Sequence, residues 1–221
     1  VPVAKTIDRF VCGYAVATVE EGVQLRKHGI TKEILILGPV AAPRYEECIR
    51  QELCMPVFEL DKAEGMSEAA EKLKKTAHVH IAVDTGMSRI GYQVTEEAAD
   101  EMAQLSKLPH IIVEGIFTHF AKADEKDKEP TYQQIGLFKK MIGMLEDRGV
   151  SIPIHHCSNS AGIVDIPDAN MDMVRAGITL YGMWPSEDVD KNAISLKPAL
   201  TLVTHVAYVK ELPAGRAISY G

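Results

Sequence analysis

Short apolar runs alternate with amphipathic stretches along most of the chain, regularly enough to be read element by element. Val1 to Ile7 reads as the end of a helix. Phe10 to Ala17 is an apolar run of strand length, and the helix after it, Val19 to Lys27, is closed by His28-Gly29. Ile34 to Gly38 has the unbroken apolar character of a strand covered on both faces. Pro43 to Leu53 is helical in pattern and Pro56 to Leu60 is strand-like. Asp61 to Ala77 is an amphipathic helix whose outer side carries Glu71, Lys72, Lys74 and Lys75. The series continues with a strand at Val79 to Asp84, a helix at Thr95 to Leu105 with Thr95 as N-cap, and a strand at Ile111 to His119. Pro130 to Arg148 is a long helix with proline near its start, and Ile135, Phe138, Met141, Ile142 and Leu145 mark its core face. Two further segments, beginning Ile152-Pro153-Ile154 and Met173-Val174-Arg175, read as strands.

About seven strands alternating with helices predict a parallel sheet. A doubly wound sheet and a closed barrel both fit the alternation, but no G-x-G-x-x-G follows any strand, which argues against the dinucleotide-binding form. The expected fold is α/β, a (β/α)8 TIM-type barrel incomplete at its N-terminus, where one more strand would complete the eight. The pattern changes after Tyr181. Trp184 to Asn192 is polar and turn-rich, a linker, and Ala199 to Val209 is a long β-branched run with no helix after it. The predicted division is a barrel over 1–190, then a linker and the start of a β domain over 191–221, the whole being a fragment of a longer protein.

Composition narrows the function. The 221 residues are 46% hydrophobic, enough for a sizeable core. The net charge is −7 and no dense Lys/Arg run occurs, so neither nucleic acid nor an anionic membrane is an expected partner. Cys12, Cys48, Cys54 and Cys157 include no C-x-x-C pair, which points to reduced thiols, a cytoplasmic protein and no metal site. No apolar run has the length of a membrane span, and no signal peptide is visible.

Chemistry in a barrel sits at the C-terminal ends of the strands. The polar residues fall there: Asp84, Thr85 and Arg89 after one strand, His119 after the next, then His156 to Ser160, then Arg175 to Ile178. Ser158-Asn159-Ser160-Ala161-Gly162 can open a helix with free backbone N–H groups, and Arg175 stands two residues before Gly177, where the backbone can approach a ligand closely. Together these look like a phosphate cradle beside a fixed cation. A serine-rich turn with a surface arginine is the plainer alternative.

These residues also carry a resemblance. Val83-Asp84-Thr85-Gly86-Met87-Ser88-Arg89-Ile90-Gly91 resembles the D-T-G-M-x-R-x-G segment of alanine racemases. So do Thr118-His119-Phe120, the H-x-x-N-S segment His156 to Ser160, Arg175-Ala176-Gly177-Ile178 with Tyr181-Gly182, and the final Ser219-Tyr220-Gly221. Five matches in the family's order form a specific signature. The resemblance implies a fold-type III barrel that uses pyridoxal 5'-phosphate (PLP), usually as a homodimer, to interconvert L- and D-alanine for cell-wall peptidoglycan.

Roles follow by resemblance, position by position. Ser160, Gly177 and Ile178 would hold the PLP phosphate, the last two through backbone N–H, with Asn159 supporting Ser160. Arg175 would face the pyridine nitrogen. An arginine does not readily give up a proton, so that nitrogen would stay unprotonated and the ring would be a weaker electron sink than with an aspartate partner. That favours racemisation over transamination. His119 and His156 would flank Arg175 in a hydrogen-bonded relay, and Arg89 would lie near the substrate carboxylate unless it pairs with a surface carboxylate such as Asp84. His28, His78, His80, His110, His155 and His205 are expected to be structural.

Racemisation needs a base on each face of the Cα–H bond. Tyr220 matches the family's tyrosine base, which reaches across a dimer interface. The Schiff-base lysine, in its K-x-x-x-Y-G-H setting, has no match; Lys5 lacks that context and reads as a helix residue. Ala82 stands where many members carry a carbamylated lysine that orients the equivalent of Arg89. The chain alone is therefore expected to be inactive. The resemblance leaves open a serine-preferring racemase, another barrel enzyme such as an amino-acid decarboxylase, and a non-catalytic PLP-binding fragment. Arg175 speaks against the decarboxylase, which usually pairs the pyridine nitrogen with a carboxylate.

Overall fold

The structure, a computed structural model, describes residues 1–220. Six strands, β1 (Gly13–Val16), β2 (Glu33–Ile36), β3 (Met55–Val57), β4 (Ala77–Ala82), β5 (Ile111–Phe117) and β6 (Ile154–His156), alternate with helices α1 (Pro2–Ile7), α2 (Val19–Lys27), α3 (Tyr45–Arg50), α4 (Leu60–Leu73), α5 (Glu96–Leu105), α6 (Glu129–Glu146) and α7 (Ser160–Asp165). All recorded strand pairs are parallel, and the order follows the sequence: β1 with β2, then β3-β4-β5-β6. The bridge between Leu35 and Cys54 joins the two sheets, with Ile36 N–H donating to the Cys54 carbonyl at 2.9 Å. A sheet that never reverses its order is the wall of a barrel; an open nucleotide-binding sheet would switch direction.

Local chemistry sets the element ends. Thr18 and Glu21 form a reciprocal capping box at the start of α2, and the Thr95 hydroxyl accepts from Ala98 N–H at the start of α5. Ile34, Ile36, Met55, Val79, Ile81 and Ile116 on the strands are buried, as are Met66, Met102, Phe138 and Met141 on the helices, so sheet and helices share one core.

Two expected strands do not form. The segment from Met173 to Ile178 runs beside β6 but makes only spaced contacts, Asp172 N–H to the His155 carbonyl and Arg175 N–H to the Ser158 carbonyl. At Gly177 the backbone turns away and a 3-10 turn, Ile178–Tyr181, begins. The run from Ala199 to Val209 has strand composition but no strand. Leu202 is 95% exposed and Val209 80% exposed, and β propensity expresses itself only against a ladder partner and a face to cover. By contrast Val189, just before this tail, is buried and Trp184 packs against the core.

Candidate active site at the strand ends

Arg175 is the centre of the rim. Its NH1 donates to Nδ1 of His156 at 2.6 Å, and its NH2 lies 2.7 Å from the Thr118 carbonyl, 3.1 Å from the Cys157 carbonyl and 3.4 Å from Nδ1 of His119. The β5 and β6 ends thus supply every acceptor, and the guanidinium lies 5.5 Å from the centre of the Phe117 ring. Burial brings the arginine down to about 10, so it remains a cation at neutral pH. Its Nε is buried and has no hydrogen-bond partner. A buried, charged donor without an acceptor is costly, and this one is ready to serve a ligand.

The histidines answer that charge. Burial first, then the Arg175 charge, lowers the His156 ring well below the usual histidine range. The same two causes, followed by Arg89, bring His119 down to about 4. Both rings are therefore neutral near pH 7 and free to accept from the guanidinium.

Ser160 opens α7 under the Asn159 cap, whose side chain accepts from Gly162 N–H and donates to the Phe120 carbonyl. The Ser160 hydroxyl gathers three donors: Gly177 N–H at 2.9 Å, Thr179 N–H at 3.4 Å and the Thr179 hydroxyl at 3.1 Å. Ser160 and Gly177 therefore meet at one point. Ile178 is the first residue of the turn beside them, with its side chain exposed. Thr179 is a site donor that the sequence reading did not single out.

The β4 loop is shaped by Asp84, which accepts from Gly86 N–H at 3.0 Å, Ser88 N–H at 2.9 Å and the Gln93 amide at 3.1 Å. Burial would raise this carboxyl, but the N–H groups of Ser88 and Gly86 and the Gln93 amide outweigh it and hold it below the ordinary value. Gly91 closes the loop at φ 121°, and a Cβ there would lie 2.5 Å from Asp84 N. Asp84 is thus occupied by its own loop and does not pair with Arg89, which has no ion pair among the described residues. Arg89 and His119 share the wall of a shallow cleft, open to solvent, with Ala82, Met87 and Phe117. Gln134 on α6 braces the rim, bonding the Thr85 hydroxyl, the His119 carbonyl and Ala121 N–H.

Two more residues bear on the site, one expected to be structural and the other to be a base that needs a partner subunit. His80, read as merely structural, is fully buried and bonds through Nδ1 to Nε2 of His156 at 2.9 Å. Its signal in the sequence was a histidine inside an apolar strand, facing Gly115 on the next one. Tyr220, read as a base, is fully exposed and reaches none of these groups. Lys5 lies in α1, as read. The four cysteines are free, and no helix among the described residues is long and apolar enough to cross a membrane.

Comparison with known proteins agrees with the geometry. The family model for the alanine racemase N-terminal domain matches residues 1–185. An alanine racemase of Clostridium novyi is 43% identical over 215 residues, covering 97% of this chain and 56% of that protein. One from Clostridium perfringens is 45% identical over 207 residues, covering 94% and 54%. Among solved structures, the alanine racemase of Clostridium difficile 630 in complex with cycloserine superposes with a TM-score of 0.89 at 46% identity, covering 90% of this chain and 55% of that one. The Bacillus anthracis alanine racemase with bound L-Ala-P gives 0.90 at 31% identity, covering 100% and 57%. The chain spans about half the length of the curated relatives it matches. Sequential parallel strands, an arginine held at their ends and a family match over most of its length lead to one conclusion: this chain belongs to the alanine racemase N-terminal domain family.

Proposed function

We propose that the full-length protein is a PLP-dependent alanine racemase that interconverts L- and D-alanine for peptidoglycan precursor supply, working as a cytoplasmic homodimer. Residues 1–190 form its cofactor-binding barrel, and 191–221 are the linker and the start of a β domain. The observation that carries this reading is the buried, unpartnered Nε of Arg175 at the centre of the rim. An aromatic nitrogen is the acceptor such a donor fits.

The residues present fit the cofactor. Ser160, Gly177 and Ile178 would bind its phosphate, with Thr179 donating to the Ser160 hydroxyl and Asn159 fixing Ser160 at the start of α7. Arg175 orients the pyridine nitrogen and, as a lasting cation, does not protonate it. His156 and His119 hold the guanidinium in place. The cofactor, once bound, supplies delocalisation of the electron pair left at Cα. Arg89 binds the alanine carboxylate from the cleft wall. Tyr220 is one proton-transfer base. Its full exposure means that it acts only when the rest of the protein, including a partner subunit, brings it to the site. The second base is not among the lysines matched here.

The test uses the full-length protein incubated with PLP. Appearance of imine absorbance, with one lysine covalently labelled after borohydride reduction, is the expected result. Absence of any cofactor absorbance after dialysis overturns the reading.

A further inference from the structure

We infer that His80 is a positioning residue: it fixes which nitrogen of His156 carries the hydrogen, and through His156 it holds Arg175 in place. The inference builds on the reading of Arg175 as the cofactor-facing cation, but its evidence lies in the chain's own hydrogen bonds.

The direction of each bond follows from donor chemistry. A guanidinium has five donors and no acceptor, so Nδ1 of His156, at 2.6 Å from Arg175 NH1, must be bare. The hydrogen of His156 is then on Nε2, and at 2.9 Å it points at Nδ1 of His80. His80 must accept there, which leaves its own hydrogen on Nε2. Three groups in line permit only this one arrangement. With an acceptor at His80, the arginine-accepting tautomer of His156 is favoured; without one, Nε2–H of His156 would be a buried orphan, and the opposite tautomer would set a hydrogen against the guanidinium.

The fold is shaped to keep His80 in line. The ring lies over Gly115 on β5, where a Cβ would come within 2.6 Å of the imidazole. Only glycine leaves that slot open. His80 meets His156 edge to face with centroids 5.0 Å apart, and Phe117 stacks on His156 at 5.1 Å. Both rings are fully buried, so no water restores the bond if His80 is removed.

The far side of His80 gives a second ground. Its Nε2 is buried and has no hydrogen-bond partner, and Glu33 Oε1 lies 3.5 Å away. Glu33, Cys54, His80 and Glu114 bring donor atoms within 4.8 Å of one another, an arrangement that could be taken for a cation site. A metal needs a bare ring nitrogen. The relay leaves the hydrogen on that nitrogen, facing the Glu33 carboxylate at 3.5 Å, so the nitrogen is not free to ligate a metal.

The test uses the full-length protein with 15N-labelled histidine, without cofactor and then with it. Long-range 15N–1H correlations should show His156 with hydrogen on Nε2 and a bare Nδ1. His80→Leu should lose that single tautomer and lower kcat for racemisation about tenfold, the equivalent of one hydrogen bond, with KM little changed. His80→Asn places an amide oxygen where Nδ1 stood and should restore both. Gly115→Ala should resemble His80→Leu, since it displaces the ring. A hydrogen on Nδ1 of His156, an unchanged tautomer in His80→Leu, or failure of His80→Asn to restore it overturns the inference. So does zinc raising the melting temperature of the wild type but not of His80→Asn. Failure to bind PLP sinks the proposed function but leaves the tautomer result readable.

Discussion

Arg175 and Arg89 belong to one rim, both close enough to lower His119, and are held in opposite ways. Arg175 gives its hydrogens to two histidine rings and two backbone carbonyls at the ends of β5 and β6. Arg89, on the β4 loop, is exposed, and the nearby Asp84 is committed to Gly86, Ser88 and Gln93. The first cation is pre-organised, with its rotamer cost met during folding. The second keeps its freedom and loses it only on binding an anion. Ala82 on the cleft wall offers Arg89 no charge to lean on. On the proposed reading, the arginine that orients a ring is fixed beforehand, and the one that catches a small carboxylate works from a looser position.

Substitutions sharpen the contrast. Arg175→Met should have the largest effect, because it strands His156 Nδ1 and two carbonyls without donors. A loss of about 3 kcal/mol in urea unfolding is expected, and Arg175→Lys should recover only part of it, since an ammonium cannot fork to several acceptors. Gln134→Leu removes the brace from the Thr85 hydroxyl and Ala121 N–H. It should cost about 2 kcal/mol, and a cost near zero would mean that α6 does not hold the rim. Acid comes next. His119 is lowered to about 4 from the ordinary histidine value, so the unfolded chain binds the extra proton first. Stability should be full above about pH 6.5 and fall as pH drops toward 4, and His119→Gln should flatten that limb. Arg89→Ala should be the mildest in stability, within about 0.5 kcal/mol, while raising KM for alanine in the full-length enzyme. If it destabilised the fold as much as Arg175→Met, the contrast between the two arginines would be lost.

Much of this was legible in the sequence, for physical reasons that differ by residue. Val19–Lys27 and Glu96–Leu105 carry their own caps, so their bounds can be read locally. The barrel was visible in the alternation, and Ser160, Gly177 and Arg175 in their place after apolar runs. Ala199 to Val209 misled because composition states a preference for strand, while forming one requires a partner to pair with. His80 was passed over because its bond to His156 spans 76 positions, and only the barrel's register brings the two rings together. That Arg175 Nε is left buried without a partner has no sequence signal at all.

Exchange of the alanine Cα hydrogen tests the central claim most directly. Full-length protein, PLP and L-alanine in deuterated water should yield alanine deuterated at Cα in both enantiomers, and Tyr220→Phe should suppress it. The 221-residue chain alone, with Tyr220 unanchored and no lysine matched to the second base, should yield none. No deuterium at Cα with the cofactor-loaded full-length protein, or steady exchange by the isolated chain, would contradict the assignment of this rim as one half of a two-base racemase site.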